Sequence, residues 1–202
     1  MTLGPRIGVL AIQGDVREHV HALESSGARA QTVGSPTDLD EVSGLVIPGG
    51  ESTTMSLLAV RDGLLDPLRE ARQGGMPMYG SCAGMIMLAD RVLDARPDQQ
   101  TIGGLDVTVR RNAFGRQVDS FETDISVEGL GDPPFPAVFI RAPWVESVGE
   151  SVRVIARLGE SGGADTIVAV TQGPLMATSF HPELTGDLRI HEMFIEMVRH
   201  YS

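Results

Sequence analysis

Residues 76–88 read MPMYGSCAGMIML, a stretch in which an apolar strand turns directly into a helix at Cys82, the only cysteine of the chain. Gly80 and Gly84 flank the cysteine, which indicates a turn where the backbone must pass close to its surroundings. A nucleophile on such a turn stands out of the sheet beside the N–H groups of a helix N-terminus, which favour a thiolate and can stabilise an oxyanion. Taken alone, a lone cysteine among small and apolar residues is more often an inert core residue than a nucleophile.

The chain before Cys82 alternates short apolar strands with amphipathic helices. Strands are predicted at residues 6–12, 28–33, 44–48 and 76–79, and helices at 15–27, 53–59 and 64–72. Asp15, with Glu18 three residues later, predicts a capped helix start. The strand-to-loop junctions near Gln13, Gly50 and Cys82 should lie together, because the carboxyl ends of parallel strands meet at the edge where ligands bind.

After Asp90 the pattern changes to alternating apolar and polar residues. Antiparallel strands are predicted at 105–109, 121–127, 152–158 and 166–171, a hairpin tip at 159–163, and a last strand at 174–180. The final helix should bury the face made of Ile190, Met193, Phe194, Met197, Val198 and Tyr201. We therefore expect one α/β domain over residues 1–202, with three layers: a central, mostly parallel sheet flanked by helices, and additional antiparallel strands in the second half.

Composition disfavours several classes of partner. The chain has 202 residues, is 42% hydrophobic and carries a formal net charge of −11, which opposes binding to nucleic acids and anionic membranes. No apolar run reaches the ~18 residues of a membrane-spanning helix. A single cysteine cannot form an intrachain disulfide, and the first apolar run is too short for a signal peptide, so we expect a cytoplasmic protein.

His181 is the candidate base for Cys82. A thiol with the ordinary pKa of about 8.5 is only a few per cent ionised at neutral pH, so a neighbouring imidazole is expected. His181 follows an apolar strand, Pro182 prevents immediate entry into a helix, and Glu183 stands where its carboxylate can orient the imidazole. Taken alone, the segment is equally compatible with a strand-end histidine beside a surface glutamate.

The other four histidines show no comparable pattern. His19 and His21 are two residues apart on a helix, where side chains diverge, so a metal site there is disfavoured. His191 and His200 lie on the final helix, and we expect both on its solvated side.

Residues 49–54, GGESTT, follow a buried strand and precede a helix, so their amides could bind an anion or an oxyanion. A phosphate loop is disfavoured, because the segment has no Gly-Lys-Ser/Thr ending and Glu51 would repel phosphate; a structural turn remains possible. The basic cluster at 110–117 and Arg141 could form a carboxylate clamp or simply be surface charge. Trp144 is compatible with rim packing or a partner contact.

Two motifs, Gly80-Ser81-Cys82-Ala83-Gly84 and Phe180-His181-Pro182-Glu183, resemble the triad-type glutamine amidotransferases, α/β enzymes that release ammonia from glutamine. Four further segments, 8–14, 48–54, 111–122 and 139–143, make the match narrower. Together they resemble the family of glutaminase subunits of pyridoxal 5′-phosphate synthase, over nearly the whole chain.

The resemblance implies a role for each matched residue. Cys82 would be the nucleophile, His181 the base and then the acid, and Glu183 the group that orients His181. Backbone N–H groups of Gly50 and Ala83 would form the oxyanion hole, which Gln13 would help to arrange when a partner docks. The residues implied to line the glutamine site are Gly50, Glu51, Ser52, Arg111, Ile140 and Arg141.

The resemblance also implies a partner. Ammonia from L-glutamine would pass to a separate barrel-shaped synthase subunit, which makes pyridoxal 5′-phosphate from a pentose phosphate and a triose phosphate; no cofactor and no metal is implied for this chain. Two alternatives remain open. One is an amidotransferase subunit of another pathway, such as histidine or folate-precursor synthesis, which the 111–122 block disfavours; the other is a non-catalytic binding module on the same scaffold.

Overall fold

The structure, a computed structural model, describes residues 4–111, 120–159 and 165–202. Its helices are α1 (Val16–Ser25), α2 (Pro36–Leu39), α3 (Ser52–Arg61), α4 (Leu65–Gln73), α5 (Ala83–Leu88) and α6 (Arg189–Tyr201). Its strands are β1 (Arg6–Leu10), β2 (Arg29–Val33), β3 (Gly44–Ile47), β4 (Met78–Ser81), β5 (Ala89–Leu93), β6 (Leu105–Arg110), β7 (Ser120–Ile125), β8 (Phe135–Ile140), β9 (Trp144–Val148), β10 (Arg153–Leu158), β11 (Thr166–Gln172) and β12 (Leu175–Thr178). Of the helices described, none is both long enough and apolar enough to cross a membrane.

Within the described residues, ten strands form one sheet in the order β2-β1-β3-β4-β12-β11-β9-β6-β5, with β10 paired to β11. Strands β1 to β4 and β12 pair in parallel, as buried apolar strands joined by helices do. Strands β9 to β12 add antiparallel pairs, and β7 and β8 form a separate antiparallel ribbon. The predicted α/β class, with a mostly parallel sheet and antiparallel additions, is confirmed.

Some strands differ from the sequence expectation. The patterns predict neither β5, which begins directly after α5, nor β9, whose side chains are mostly exposed after Val145. Strand β6, predicted as antiparallel, is antiparallel to β9 but parallel to β5. Alternation of apolar and polar residues indicates a half-buried strand and does not report the direction of its neighbours. The predicted hairpin tip lies outside the described residues except for Gly159.

Helix α6 packs against the sheet. The fully buried apolar residues of its predicted face are Ile190, Phe194 and Val198. Tyr201, predicted on that face, is exposed, because it is the last residue of the helix. His200 is exposed as predicted, but the same prediction for His191 is wrong: His191 is fully buried. Its imidazole is tolerated in the core because it forms a hydrogen bond with His19 of α1.

The candidate site lies at one edge of the parallel part of the sheet. Gln13 follows β1, Gly50 follows β3, and Cys82 follows β4, and all three line one cavity. Strand β12 pairs in parallel with β4, so His181 emerges beside the turn that carries Cys82. The prediction that these junctions share an edge is confirmed.

Candidate active site

Cys82 stands on a sharp turn between β4 and α5. Its φ of 48° lies in the left-handed region, which costs a non-glycine residue roughly 1–3 kcal/mol and is typical of functional turns. The N–H of Cys82 donates to the carbonyl of Thr178 at 2.8 Å, which fastens the turn to β12. The cysteine is only 6% exposed, and its sulfur lies 3.9 Å from the carbonyl oxygen of Ile140. The thiol therefore faces a confined space.

The two flanking glycines are required by close packing. A Cβ on Gly80 would lie 2.4 Å from the carbonyl of Gly84, and a Cβ on Gly84 would lie 2.1 Å from the carbonyl oxygen of Ile47 in β3. Neither contact is sterically possible. The absence of side chains lets α5 lie directly on the sheet.

His181 is oriented by a buried carboxylate. Its Nδ1 lies 2.7 Å from Oε1 of Glu183, and both side chains are almost completely buried. The backbone N–H of His181 donates to the carbonyl of Val138 at 2.8 Å, which fixes the residue at the end of β12. Since Nδ1 donates to Glu183, Nε2 is the ring nitrogen available to Cys82.

The surroundings of His181 favour the protonated imidazole. Burial lowers its pKa, but hydrogen bonds to Asp15, Cys82 and Glu183 outweigh burial and raise the pKa of His181 to about 12. Burial also raises the pKa of Glu183 above its ordinary value, against the opposing effect of the hydrogen bond to His181. The protonated imidazole is therefore the favoured state of His181 at neutral pH.

Asp15 is a site residue that the sequence analysis missed. It is the N-cap residue of α1, but its side chain forms no capping hydrogen bond, so the predicted capping arrangement with Glu18 is wrong. Instead, Oδ2 of Asp15 lies 3.4 Å from Nδ1 of His181. The carboxylate of Asp15 therefore faces the imidazole of His181 and not the first turn of α1.

The loop after β3 is held by Gln13. Gly50 has a φ of 146°, and a Cβ there would lie 2.4 Å from Oε1 of Gln13. The same oxygen accepts the N–H of Glu51 at 2.8 Å. Gln13 therefore sets the orientation of the backbone around Gly50, where an oxyanion donor is expected.

The junctions enclose a cavity of about 390 Å³, within the size range of small-molecule sites. Its lining residues are Gln13, Asp15, Gly50, Glu51, Ser52, Cys82, Ala83, Ile86, Arg111, Ile140, Arg141, Pro143 and His181. Every residue to which the resemblance assigns a role is among them except Glu183, which lies behind His181. Of the basic cluster at 110–117, Arg111 lines the cavity, Arg110 does not, and residues 112–117 lie outside the described residues. Arg141 is exposed and has a φ of 42°.

A charged pair forms one side of the cavity. Arg111 donates to Oε1 of Glu51 at 2.9 Å and to Oε1 of Gln99 at 3.0 Å. Burial raises the pKa of Glu51, but hydrogen bonds from Thr54 and Thr53 at the start of α3 outweigh burial and hold it below its ordinary value. Gln99 carried no sequence signal, because it lies in an irregular segment between β5 and β6.

In the described part of the chain, one cluster of side chains has the composition of a metal site: Asp15, His181 and Glu183, whose ligand atoms lie within 4.8 Å of one another. However, the 2.7 Å between His181 and Glu183 is a hydrogen-bond distance. A cation bound between them would have to break that bond, so the cluster fits acid–base chemistry better.

A buried polar network behind Glu183 was also missed. His19 is fully buried; its Nδ1 lies 3.0 Å from Nε2 of His191, and its Nε2 lies 3.0 Å from Oγ of Ser81 and 3.4 Å from Oε2 of Glu183. His21 is exposed, so the prediction that the two histidines of α1 diverge is confirmed.

Comparisons with known proteins find relatives that match nearly the whole chain. A model of the SNO glutamine amidotransferase family matches residues 9–200. The pyridoxal 5′-phosphate synthase subunit PdxT of Rhodococcus jostii (strain RHA1) is 61% identical over 197 residues, which cover 96% of this chain and 98% of that protein. The subunit of the same name from Kineococcus radiotolerans is 64% identical over 197 residues, covering 96% and 95%.

Solved structures agree with the architecture. A crystal structure of a glutamine amidotransferase matches with a TM-score of 0.88 at 47% identity, covering 96% of this chain and 98% of that chain. A putative GMP synthase protein from Thermoplasma acidophilum matches with a TM-score of 0.65 at 19% identity, covering 100% and 97%, and shows the shared fold alone. The resemblance drawn from the sequence is confirmed, and the chain belongs to the SNO glutamine amidotransferase family.

Proposed function

We propose that the chain is the glutaminase subunit of a pyridoxal 5′-phosphate synthase, which hydrolyses L-glutamine to L-glutamate and ammonia. The observation that carries this proposal is that Cys82 and His181 line one cavity, while Glu183 holds the imidazole of His181 at 2.7 Å from behind. The shared name of the relatives, at about 60% identity over nearly the full chain, supports the choice of pathway.

In the first half of the reaction, the thiol of Cys82 and the imidazole of His181 share one proton, which lies on His181 when the sulfur attacks the side-chain amide carbon of glutamine. The carbonyl electron pair moves to oxygen, and the resulting oxyanion accepts hydrogen bonds from the N–H groups of Gly50 and Ala83. Each such donor can contribute about 3 kcal/mol to the transition state. Collapse of the intermediate breaks the C–N bond, and His181 returns its proton to the nitrogen, so that ammonia leaves and a glutamyl thioester remains.

In the second half, water attacks the thioester while His181 accepts a proton from the water. A second oxyanion forms in the same place, the C–S bond breaks, and the proton held by His181 returns to the sulfur of Cys82. Glutamate is released and the thiol is regenerated. Glu183 keeps Nδ1 protonated and the ring in one orientation through both halves.

The charged side of the cavity suits a free amino acid. Arg111, with Arg141 beside it, would bind the α-carboxylate of glutamine, since guanidinium groups match carboxylate geometry. Glu51, held ionised by its hydrogen bonds, would face the α-ammonium group. Ser52 and the carbonyl of Ile140 complete the lining.

Ammonia would pass to a separate barrel-shaped synthase subunit, which uses it to build pyridoxal 5′-phosphate. Gln13 would respond to that subunit, since it lies on the loop after β1 and holds the peptide between Gly50 and Glu51. A single cysteine, which cannot form an intrachain disulfide, suits a cytoplasmic enzyme.

The test is ammonia release from L-glutamine by the full chain, with and without the synthase subunit. We expect Cys82→Ala and Cys82→Ser to lower the rate more than about a thousandfold, while His200→Gln, on the exposed end of α6, retains it. Full activity of Cys82→Ala would refute the mechanism. Recovery of a different synthase as the partner in a pull-down would refute the pathway.

A further inference from the structure

Glu183 has two carboxylate oxygens, and the triad uses only one of them. Oε1 accepts from His181, whereas Oε2 is buried and has no hydrogen-bond partner among the residues that the structure describes. A buried carboxylate oxygen without a hydrogen-bond donor destabilises the fold, because it has lost its hydrogen bonds to water and has formed none within the protein. The imidazole Nε2 of His19 lies 3.4 Å from it, a distance that a small movement converts into a hydrogen bond.

The ring of His19 is fixed by its neighbours. Nδ1 lies 3.0 Å from Nε2 of His191, Nε2 lies 3.0 Å from Oγ of Ser81, and the ring packs edge-on against Tyr79. Burial, together with the charges of His191 and His181, lowers the pKa of His19 well below its ordinary value. The ring is therefore neutral at physiological pH and carries one N–H.

The position of that proton follows from the neighbours of the ring. With the proton on Nδ1, the lone pair of Nε2 would face Oε2 of Glu183, and two acceptors would oppose each other in the core. With the proton on Nε2, His19 donates towards Glu183 and Ser81, while Nδ1 accepts from Nε2–H of His191. In this arrangement the proton of His191 is on Nε2, so its Nδ1, which has no partner within the described residues, is an acceptor without a donor. A buried acceptor without a partner is less costly than a buried N–H donor without one.

We propose that His19 is a positioning residue for the triad: its Nε2–H, held in that tautomer by His191, supports Oε2 of Glu183 and, through Ser81, ties that carboxylate to the turn that carries Cys82. The inference rests on the proposed glutaminase function and deepens it. The chain of contacts then runs from α6 through α1 to Glu183, His181 and the sulfur. Hydrogen-bonded outer residues of this kind change activity by about 10- to 100-fold in metal sites, and a similar effect is expected here.

Two substitutions separate positioning from packing. His19→Gln places an amide N–H near the position of Nε2, whereas His19→Leu fills the space without a donor. With the synthase subunit present, kcat of His19→Leu should fall about 10- to 100-fold with KM for glutamine within about twofold of wild type. His19→Gln should recover kcat to within about fivefold of wild type, and His200→Gln should match wild type.

A pH profile adds a readout that packing alone does not change. The titratable groups around Glu183 are His181 and Asp15 on the cavity side and His19 and Tyr79 on the core side. Loss of a donor to the carboxylate raises the pH at which Glu183 takes up a proton. The acidic limb of kcat/KM should therefore move to higher pH in His19→Leu and stay near the wild-type position in His19→Gln.

The tautomer is measured directly from the ¹⁵N shifts of the imidazole in the full-length wild-type chain, and the proton is expected on Nε2. A proton on Nδ1, or a His19→Leu chain with wild-type kcat and acidic limb, would overturn the inference. The inference would also be overturned if kcat fell equally in His19→Leu and His19→Gln, in proportion to a lower folded fraction of each chain. Failure of the wild-type chain to release ammonia with its synthase would instead refute the proposed function, and the tautomer would still decide the geometry.

Discussion

Gly84 positions the nucleophile by having no side chain. Helix α5 begins one residue after Cys82 and lies against β3 so closely that the carbonyl oxygen of Ile47 occupies the place of a Cβ on Gly84. Gly80 is packed in the same way against Gly84. The strained turn at Cys82 is therefore held by backbone contacts on both sides, and the position of the sulfur depends on them.

Gly84→Ala should destabilise the chain and impair catalysis together. Relief of a 2.1 Å contact with the Ile47 carbonyl requires α5 to move away from β3, at a cost of about 1–3 kcal/mol. Displacement of the reacting atoms by about 1 Å can lower the rate about a hundredfold. Urea unfolding and kcat measure the two effects. Gly186→Ala, in open space, is the control, and a Gly84→Ala chain that behaves like it would contradict the prediction.

Among single residues, the sequence predicts a functional role for those whose neighbours in the sequence indicate it. Cys82 is marked by its flanking glycines, and His181 by the strand before it and the Pro-Glu after it. Asp15 and His19 carry no such mark, because their roles depend on a contact with a segment more than 160 positions away. The one feature of the sequence that relates them is their spacing, since residues four apart on a helix lie on the same side of it.

Among the elements, α1 contributes most to the site after the nucleophile turn. It presents Asp15 at its N-terminus and His19 one turn later, and both contact residues of the triad. Asp15 reaches Nδ1 of His181 at 3.4 Å, while Glu183 holds the same nitrogen at 2.7 Å. The helix therefore adds a second negative charge to the imidazole and a donor to the carboxylate.

Asp15→Asn should make the enzyme more sensitive to alkaline pH. Burial lowers the pKa of His181, but the hydrogen bond to Asp15 is the largest of the opposing causes that raise it to about 12. A hydrogen bond between charged groups is worth about 1.5–3 kcal/mol, or roughly one to two pKa units. The pH at which His181 loses its proton should fall by that amount, so the alkaline limb of kcat/KM moves to lower pH.

The measurement for Asp15→Asn is kcat/KM for glutamine from pH 6 upwards, with the synthase subunit present. Glu24→Gln, an exposed acid on the same helix, controls for loss of one negative charge. An alkaline limb that moves equally in both chains would mean that overall charge, and not the contact with His181, sets the limb.

Strands with an apolar pattern of their own are the ones that the sequence predicts. Strands β1 and β3 are short, apolar and followed within a few residues by glycine, so their pattern alone locates them. Strand β9 is held by its partners on both edges, β6 and β11, and not by an apolar face of its own. Pairing of this kind is decided by the tertiary fold, which local sequence does not report.

For the molecule as a whole, the histidines join parts that are distant in sequence. His19 on α1, His191 on α6 and Ser81 at the end of β4 meet in the core behind the active site. The two neutral imidazoles form hydrogen bonds there in place of apolar contacts. Because hydrogen bonds are directional, they fix how α1 and α6 lie against the sheet. The arrangement also links stability to pH, because each ring must stay neutral to remain buried.

Acid should weaken the fold through His191. Burial lowers the pKa of His191 to about 4, against 6.5 for a free imidazole, so between these values the unfolded chain binds a proton that the folded chain does not. Stability therefore falls as pH decreases, and from pH 7 to pH 5 the loss from His191 is about 2 kcal/mol. His191→Gln has no titratable group at position 191, so its free energy of unfolding should lack that loss, while His19, His181 and Glu183 are present in both chains. Urea unfolding of wild type, His191→Gln and the exposed control His200→Gln at pH 7, 6 and 5 measures the change; a constant difference between wild type and His191→Gln would show that the buried ring carries no coupling to pH.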